Sequence, residues 1–236
     1  MRLARRQRIV IYVVLILAGA LFLLLRWQNS PAAYRRTLPG RSQQEYYVYV
    51  PRGYTPTRTW PVFVFVHGSG GNAAGYFQAL KPYADSKGYI LLCPTFTGNT
   101  FGLLTGGEDV LLLDMIAELG SKHRLADRFF LGGFSAGAQF AHGFAFRYPS
   151  VLCGVAAHSA RSYDPPPPAS FGAPSFAVSV GELDVERVET NRRFADELAR
   201  KGYDVTFTVI PNAGHQFTPG AFEQTLTLFD RACVEQ

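Results

Sequence analysis

The sequence predicts an α/β domain with a mostly parallel central sheet and helices on both faces. Three observations lead there. From about Ser42 onward, short apolar runs alternate with segments of helical periodicity. Two runs, Val62–Val66 (VFVFV) and residues 89–93 (YILLC), are almost wholly apolar and bounded by proline or glycine, as strands buried on both faces are. Gly and Pro (23 and 15 of 236 residues) lie mostly between the apolar runs, which suits a loop-rich α/β domain better than a helical bundle.

The elements follow in order. Residues 45–50 (EYYVYV) read as a strand near a sheet edge, because Pro51 ends it. The strands at 62–66 and 89–93 come next. Residues 108–119 carry apolar side chains at helical spacing, with Glu108 and Asp109 favourably placed at the start. Residues 129–132 (FFLG) form a strand running into a Gly-rich turn, and Ala136–Arg147 a helix. Strands at 152–157, 175–180 and 205–210 and helices at 190–201 and 221–232 complete the pattern. Pro165 to Pro168 make a stiff surface loop.

A length of 236 residues fits one domain, and 47% hydrophobic with 17% charged residues marks a globular chain. The net charge of +5 is concentrated in Arg2, Arg5, Arg6 and Arg8 and in Arg35, Arg36 and Arg41. No basic cluster interleaved with aromatics exists, so nucleic acid is excluded as a partner. The spacing of Cys93, Cys153 and Cys233 matches no metal motif and no Cys-x-x-Cys redox motif. Cys93 and Cys153 sit in apolar surroundings and read as small core residues. A disulfide, were the domain to face an oxidising compartment, would involve Cys233, with its partner left open.

Residues 9–25 carry no charge, follow four arginines and precede Arg26 and Trp27. The run is just long enough to cross a thin bilayer core. The small residues Ala18, Gly19 and Ala20 fall inside it rather than after it, which favours an uncleaved signal anchor over a cleaved signal peptide. The expected organisation is a cytoplasmic tip and membrane helix (1–27), a polar tether (28–41) and a domain (42–236) outside the cytoplasm. Secretion after signal cleavage is the alternative.

Between the strand FFLG and the helix that follows, the chain reads Gly133-Phe134-Ser135-Ala136-Gly137. This is the G-x-S-x-G pattern of an α/β-hydrolase elbow. A nucleophile on so tight a turn needs small neighbours two positions away on either side. The helix beyond it points free N–H groups and a positive dipole end at the site. His67-Gly68-Ser69-Gly70-Gly71 follows the strand VFVFV, where this fold places one oxyanion donor. That donor is assigned to the Ser69 N–H, with Gly70 as alternative, and the second to Ala136. His67 precedes the nucleophile in the chain, so it is not the expected base.

In this fold the triad runs Ser, then Asp or Glu, then His. Asp184 follows the strand SFAVSV and His215 follows VTFTVI. The expected triad is Ser135, Asp184 and His215, with Glu182 and, less so, Glu186 as competing acids. Serine needs an imidazole to take its proton, and a carboxylate to fix the tautomer and stabilise the imidazolium. His123 reads as a loop residue and His142 as part of the post-elbow helix. His158 follows a strand and is a candidate pocket-lining residue.

Residues 47–72, 107–149, 180–186 and 212–217 resemble esterases related to polyhydroxybutyrate depolymerases and feruloyl esterases. The similarity covers nearly all of residues 44–230. It implies hydrolysis of ester bonds with no metal or organic cofactor. Together with the triad, the expectation is a serine hydrolase working through an acyl-enzyme on a small-molecule or acylated ester, held to the membrane by the N-terminal helix. A peptidase or amidase with the same triad and a membrane-tethered binding protein without chemistry are the rivals. Residues 96–107 and 161–172 are expected to border an open, shallow cleft without a large lid.

Overall fold

The computed structural model describes residues 14–19, 32–38, 41–98 and 100–234. Most of the apolar run 9–25 lies outside them. Of that run, residues 14–19 are helical with exposed side chains. Among the described residues, no helix is long and apolar enough to cross a membrane.

Eight strands form one sheet: β1 (Ala32–Leu38), β2 (Arg41–Val50), β3 (Val62–Val66), β4 (Ile90–Pro94), β5 (Phe129–Phe134), β6 (Leu152–His158), β7 (Ser175–Gly181) and β8 (Val205–Ile210). Their spatial order is β1-β2-β4-β3-β5-β6-β7-β8. β2 pairs antiparallel with β1 and β4, and the other pairs are parallel. Among the described residues from 32 onward, the α-helices are α1 (Ala73–Lys87), α2 (Glu108–Gly120), α3 (Ala136–Arg147), α4 (Val185–Arg200) and α5 (Pro219–Phe229).

Two cores result, one on each face of the sheet. Phe77 and Leu80 of α1 and Phe222 and Phe229 of α5 pack on Phe63, Phe65 and Phe130. On the opposite face, α2, α3 and α4 bring Leu112, Phe140 and Phe194 onto Val64, Leu131 and Val178. Strand order reverses between β3 and β5, so their carboxyl ends flank a topological switch point, where open α/β sheets bind ligands.

The expected tether is corrected. Ala32–Leu38 is the edge strand β1, and β2, expected near a sheet edge, lies next to it. Period-two alternation is present in β1 but carried by charged residues. Tyr34, Arg36 and Leu38 turn inward while Ala33, Arg35 and Thr37 face solvent. Arg35 pairs with Glu45 at 3.0 Å and Arg36 with Glu118 at 3.5 Å. The domain therefore starts about ten residues before Ser42.

Helix α1 adds an element to the expected pattern. Asn72 caps it by accepting from the Ala74 N–H at 3.0 Å, and Gly88 (φ 71°) ends it in the left-handed conformation. Its buried face is Ala73, Phe77, Leu80 and Ala84, a helical spacing interrupted in sequence by Gly75 and Pro82. Cys153 is buried, as expected, and is the partner of Cys233 that the sequence left open, whereas Cys93 is free and buried.

Candidate active site

Ser135 lies between the end of β5 and the start of α3, with φ 57° and ψ −113°. A positive φ is strained for any residue with a side chain and persists only where the surroundings enforce it. Here the Ser135 N–H donates to His158 O at 2.8 Å, and its carbonyl accepts from the N–H groups of Ala138 (3.0 Å) and Gln139 (3.1 Å). A Cβ on Gly133 would stand 2.1 Å from Gly137 O, and one on Gly137 2.1 Å from Val66 O. Glycine at both positions is what lets α3 start so close to β3 and β5.

His215 spans the gap between this serine and a carboxylate. Its Nε2 is 3.1 Å from Ser135 Oγ and its Nδ1 2.7 Å from Asp184 Oδ2. The ionised carboxylate can only accept, so Nδ1 carries the proton and Nε2 is left as an acceptor for the serine hydroxyl. Asp184 is 6% exposed. Its second oxygen accepts from Arg187 Nη1 at 2.7 Å, a partner that sequence reasoning missed. The Asp-x-x-Arg spacing across the first turn of α4 was the available signal. The acid and base loops are tied together by Glu182 N–H to Ile210 O (2.9 Å) and Leu183 N–H to Ala213 O (2.8 Å). Glu182 is turned outward and accepts from the Asn212 N–H at 3.0 Å, while Glu186 is exposed. Of the three acids considered, the structure brings Asp184 to the histidine.

The turn after β3 closes with the Gly71 N–H donating to Gly68 O at 3.1 Å. Gly68 lies against the elbow, since a Cβ there would be 3.3 Å from Ser135 Cβ. This puts Gly68, at the start of the turn that carries Ser69 and Gly70, beside the serine. Ala136 opens α3, so its N–H has no intrahelical acceptor. His67 supports the turn from beneath. Its Nε2 accepts from the Phe96 N–H at 3.1 Å, so Nδ1–H donates to Gly68 O at 2.7 Å. Burial lowers its pKa, which favours this neutral state.

The other histidines stand apart. His158 does not line a pocket; it is 1% exposed, because β6 buries both faces of its last residue. Burial lowers its pKa to about 3. His142 is buried in α3 and accepts from the Asp164 N–H at 2.8 Å. His123 is half-buried against Tyr54, with its pKa lowered by burial and then by Lys122 and Arg36.

An open cleft of about 530 Å³ is lined by Phe134 and Gln216, the chain neighbours of Ser135 and His215, and by Gly71. Its far wall is α1, while Gly102 and Leu103 of residues 96–107 and Ser162, Tyr163 and Asp164 of residues 161–172 together line a small depression against Gln139 and His142 of α3. Phe96 and Phe101 are buried beneath the site, and Arg161, Ser162 and Tyr163 line a separate depression of about 310 Å³ against α4. Among the described residues, no cluster of His, Cys, Asp and Glu has the form of a metal site.

The strand order, with a G-x-S-x-G elbow at its switch point, defines an α/β-hydrolase. Residues 44–169 match the model of the PHB-depolymerase esterase family. The chain belongs to that family and is an ester-hydrolysing enzyme. No curated protein sequence matches it. Among solved structures, it is similar to an S-formylglutathione hydrolase from Staphylococcus aureus (15% identity, TM-score 0.67, 84% of this chain and 94% of that one). It is also similar to a ferulic acid esterase from Anaeromyces mucronatus, solved with ferulic acid (16%, 0.66, 83% and 88%). A poly(3-hydroxybutyrate) depolymerase from Bordetella parapertussis is a third relative (19%, 0.62, 88% and 92%). At these identities the likeness is one of fold.

Proposed function

We propose that the protein is a serine esterase that cleaves carboxylic esters through an acyl-enzyme intermediate. The observation that carries this reading is the continuous chain from Ser135 Oγ through His215 to Asp184, at 3.1 and 2.7 Å. Ser135 Oγ attacks the carbonyl carbon while its proton passes to His215 Nε2. The N–H groups of Ala136 and of Ser69, with Gly70 as the alternative to Ser69, hold the oxyanion. The tetrahedral adduct collapses and the alcohol leaves with the proton from His215. Water then gives a proton to His215 and attacks the acyl carbon, and the carboxylic acid leaves as Ser135 regains its proton. Asp184 holds the tautomer and stabilises the imidazolium, and the reading needs no metal or organic cofactor.

The substrate in this reading is a small or surface-displayed ester. The catalytic domain stands outside the cytoplasm, held to the membrane by residues 9–25. The four arginines before that run and the Cys153–Cys233 disulfide support this placement, since disulfides persist in oxidising compartments.

The test is fluorophosphonate labelling of the full-length protein, read by peptide mass spectrometry beside turnover of aryl acetates and aminoacyl amides. Labelling at Ser135 is expected. Ser135→Ala is expected to lower ester turnover by about 10⁴- to 10⁶-fold with an unchanged melting temperature. Faster turnover of the amides would replace the esterase reading with an amidase. A folded protein that neither labels nor turns over would be a binding protein.

A further inference from the structure

The cleft beside the candidate triad has a composition that the chemistry of ester cleavage does not require. One end is formed by Gly71, in the turn beside Ser135. Phe134 immediately precedes Ser135, and its ring centroid is 4.8 Å from that of His215. Phe217, two residues after His215, continues this wall at 6.3 Å from Phe134 and meets Tyr76 of α1 at 5.8 Å. Phe65 lies under both, 5.0 Å from Tyr76 and 4.8 Å from Phe217. Ring contacts thus run from His215 through Phe134 and Phe217 to Tyr76 of α1.

None of the residues lining this cleft carries a formal charge. Burial raises the Tyr76 phenol to about 12, so it too stays neutral. By contrast, Arg161, Arg193 and Glu197 line the depression on the other side of the sheet. An uncharged cleft walled by Tyr76, Phe134 and Phe217, with the amides of Asn72 and Gln216 beside them, favours an apolar occupant over a charged one.

The far wall has a second informative property. Gly75 and Ala79 lie four residues apart on α1, both exposed and both facing the cleft. A Cβ on Gly75 would meet nothing within 4 Å. Glycine inside a helix costs about 1 kcal/mol relative to alanine. Backbone geometry does not demand it here, and what its missing side chain leaves is space in the cleft.

We propose that this cleft receives an apolar alkyl or aryl substituent of the ester, and that Gly75 and Ala79 set how long that substituent can be. The proposal rests on the serine-esterase reading above. Gly75 is the nearer to the Gly71 turn and Ala79 lies one helical turn, about 6 Å, beyond it. A side chain grown at Gly75 therefore obstructs the cleft early, and one grown at Ala79 obstructs it late.

The experiment compares wild type, Gly75→Leu and Ala79→Trp on two ester series, by kcat/KM. One series lengthens the acyl group (ethyl acetate, butyrate, hexanoate, octanoate and benzoate). The other lengthens the alcohol (ethyl, butyl, hexyl, octyl and phenyl acetate). In one series, the ratio of kcat/KM for the long members to that for ethyl acetate is expected to fall at least tenfold. In Gly75→Leu the fall begins at a shorter chain than in Ala79→Trp. The series that responds identifies whether the acyl or the alcohol side occupies the cleft. Fluorophosphonate labelling of each variant at Ser135 reports that the site is assembled. Normal labelling with unchanged ratios in both series, or an equal fall at every chain length, would overturn the proposal while leaving the esterase reading standing. Wild-type protein that neither labels nor hydrolyses ethyl acetate would remove that reading and this one with it.

Discussion

Two histidines at the carboxyl end of the sheet each bridge two oxygen-bearing side chains, and the difference between them shows what makes a reactive site. His215 lies between Ser135 Oγ and the Asp184 carboxylate, with its ring reaching solvent. His158 lies between Ser179 Oγ and Thr225 Oγ1, both at 2.6 Å, and is sealed. The two are joined through the backbone, since Ser135 N–H donates to His158 O. Thr225 donates its own proton to Ala221 O at 2.9 Å, so it accepts from His158 Nε2–H, and Ser179 donates to Nδ1. Every lone pair and proton of His158 is therefore committed to neutral partners, and its burial holds it uncharged. His215 has a carboxylate behind it and an open side where substrate can stand. Short hydrogen bonds to a hydroxyl are common to both; counter-charge and access belong to one.

The largest effect that would sharpen this contrast is removal of the counter-charge. Asp184→Asn presents an amide that favours the wrong tautomer of His215. It is expected to lower kcat by about 10⁴-fold at unchanged fold, by analogy with serine triads generally. A loss below about tenfold would mean that His215 needs no charged partner, and the contrast with His158 would fail.

A smaller effect is expected one shell out. Arg187→Met leaves Asp184 Oδ1 without its charged donor and lets the carboxylate rotate. The loss of such a bond, partly offset by water, corresponds to about tenfold in kcat with little change in KM. A change confined to KM would place Arg187 on substrate rather than on Asp184.

The smallest effect on turnover is expected at His158, where the consequence is for stability. Its pKa is about 3 in the native state against an ordinary value of 6.5 in the unfolded chain. Below pH 6.5 the unfolded chain binds a proton there that the native protein does not. Its stabilising contribution is thus full above pH 6.5 and is lost as the pH falls toward 3, by about 1.4 kcal/mol per pH unit. His67 and His123 act in the same direction. His158→Gln is expected to flatten the stability profile between pH 6.5 and about 4.5, above the carboxylate range, and to keep turnover at pH 8 within about threefold. Denaturant titrations across that window test it, and an unchanged slope would show that His158 is not the group that stays neutral.

Much of the site was legible because its residues serve geometry as well as chemistry. Gly133, Ser135 and Gly137 must be spaced as they are for a strand to turn into a helix against β3. Asp184 and His215 follow apolar strands whose ends are unmistakable. Helix α1 was hidden because Gly75 and Pro82 interrupt a face that Phe77, Leu80 and Ala84 keep intact, and Gly75 is also what opens the cleft. Strand β1 was hidden because two arginines occupy its alternating positions, and their partners, Glu45 and Glu118, come from β2 and α2. Arg187 was hidden because an arginine in the first turn of a helix is read against the dipole, not as a partner for the residue that precedes it. In each case the compensating group is remote in sequence, or the residue breaks a local rule for a non-local reason.

The Cys153–Cys233 bond closes a ring of chain that contains both Asp184 and His215, while Ser135 and the Gly68–Gly71 turn lie outside it. The site is thus assembled from two covalent compartments. Ser135 and His215 are 80 residues apart along the chain. Through the sulfur bridge they are joined by two short arms, 135–153 and 215–233. A shorter path lowers the entropic cost of bringing loop ends together. Even in a loosened molecule, the base stays on a leash anchored near the serine's own strand, so the oxidised chain searches a smaller volume to rebuild its reacting pair than its sequence order implies.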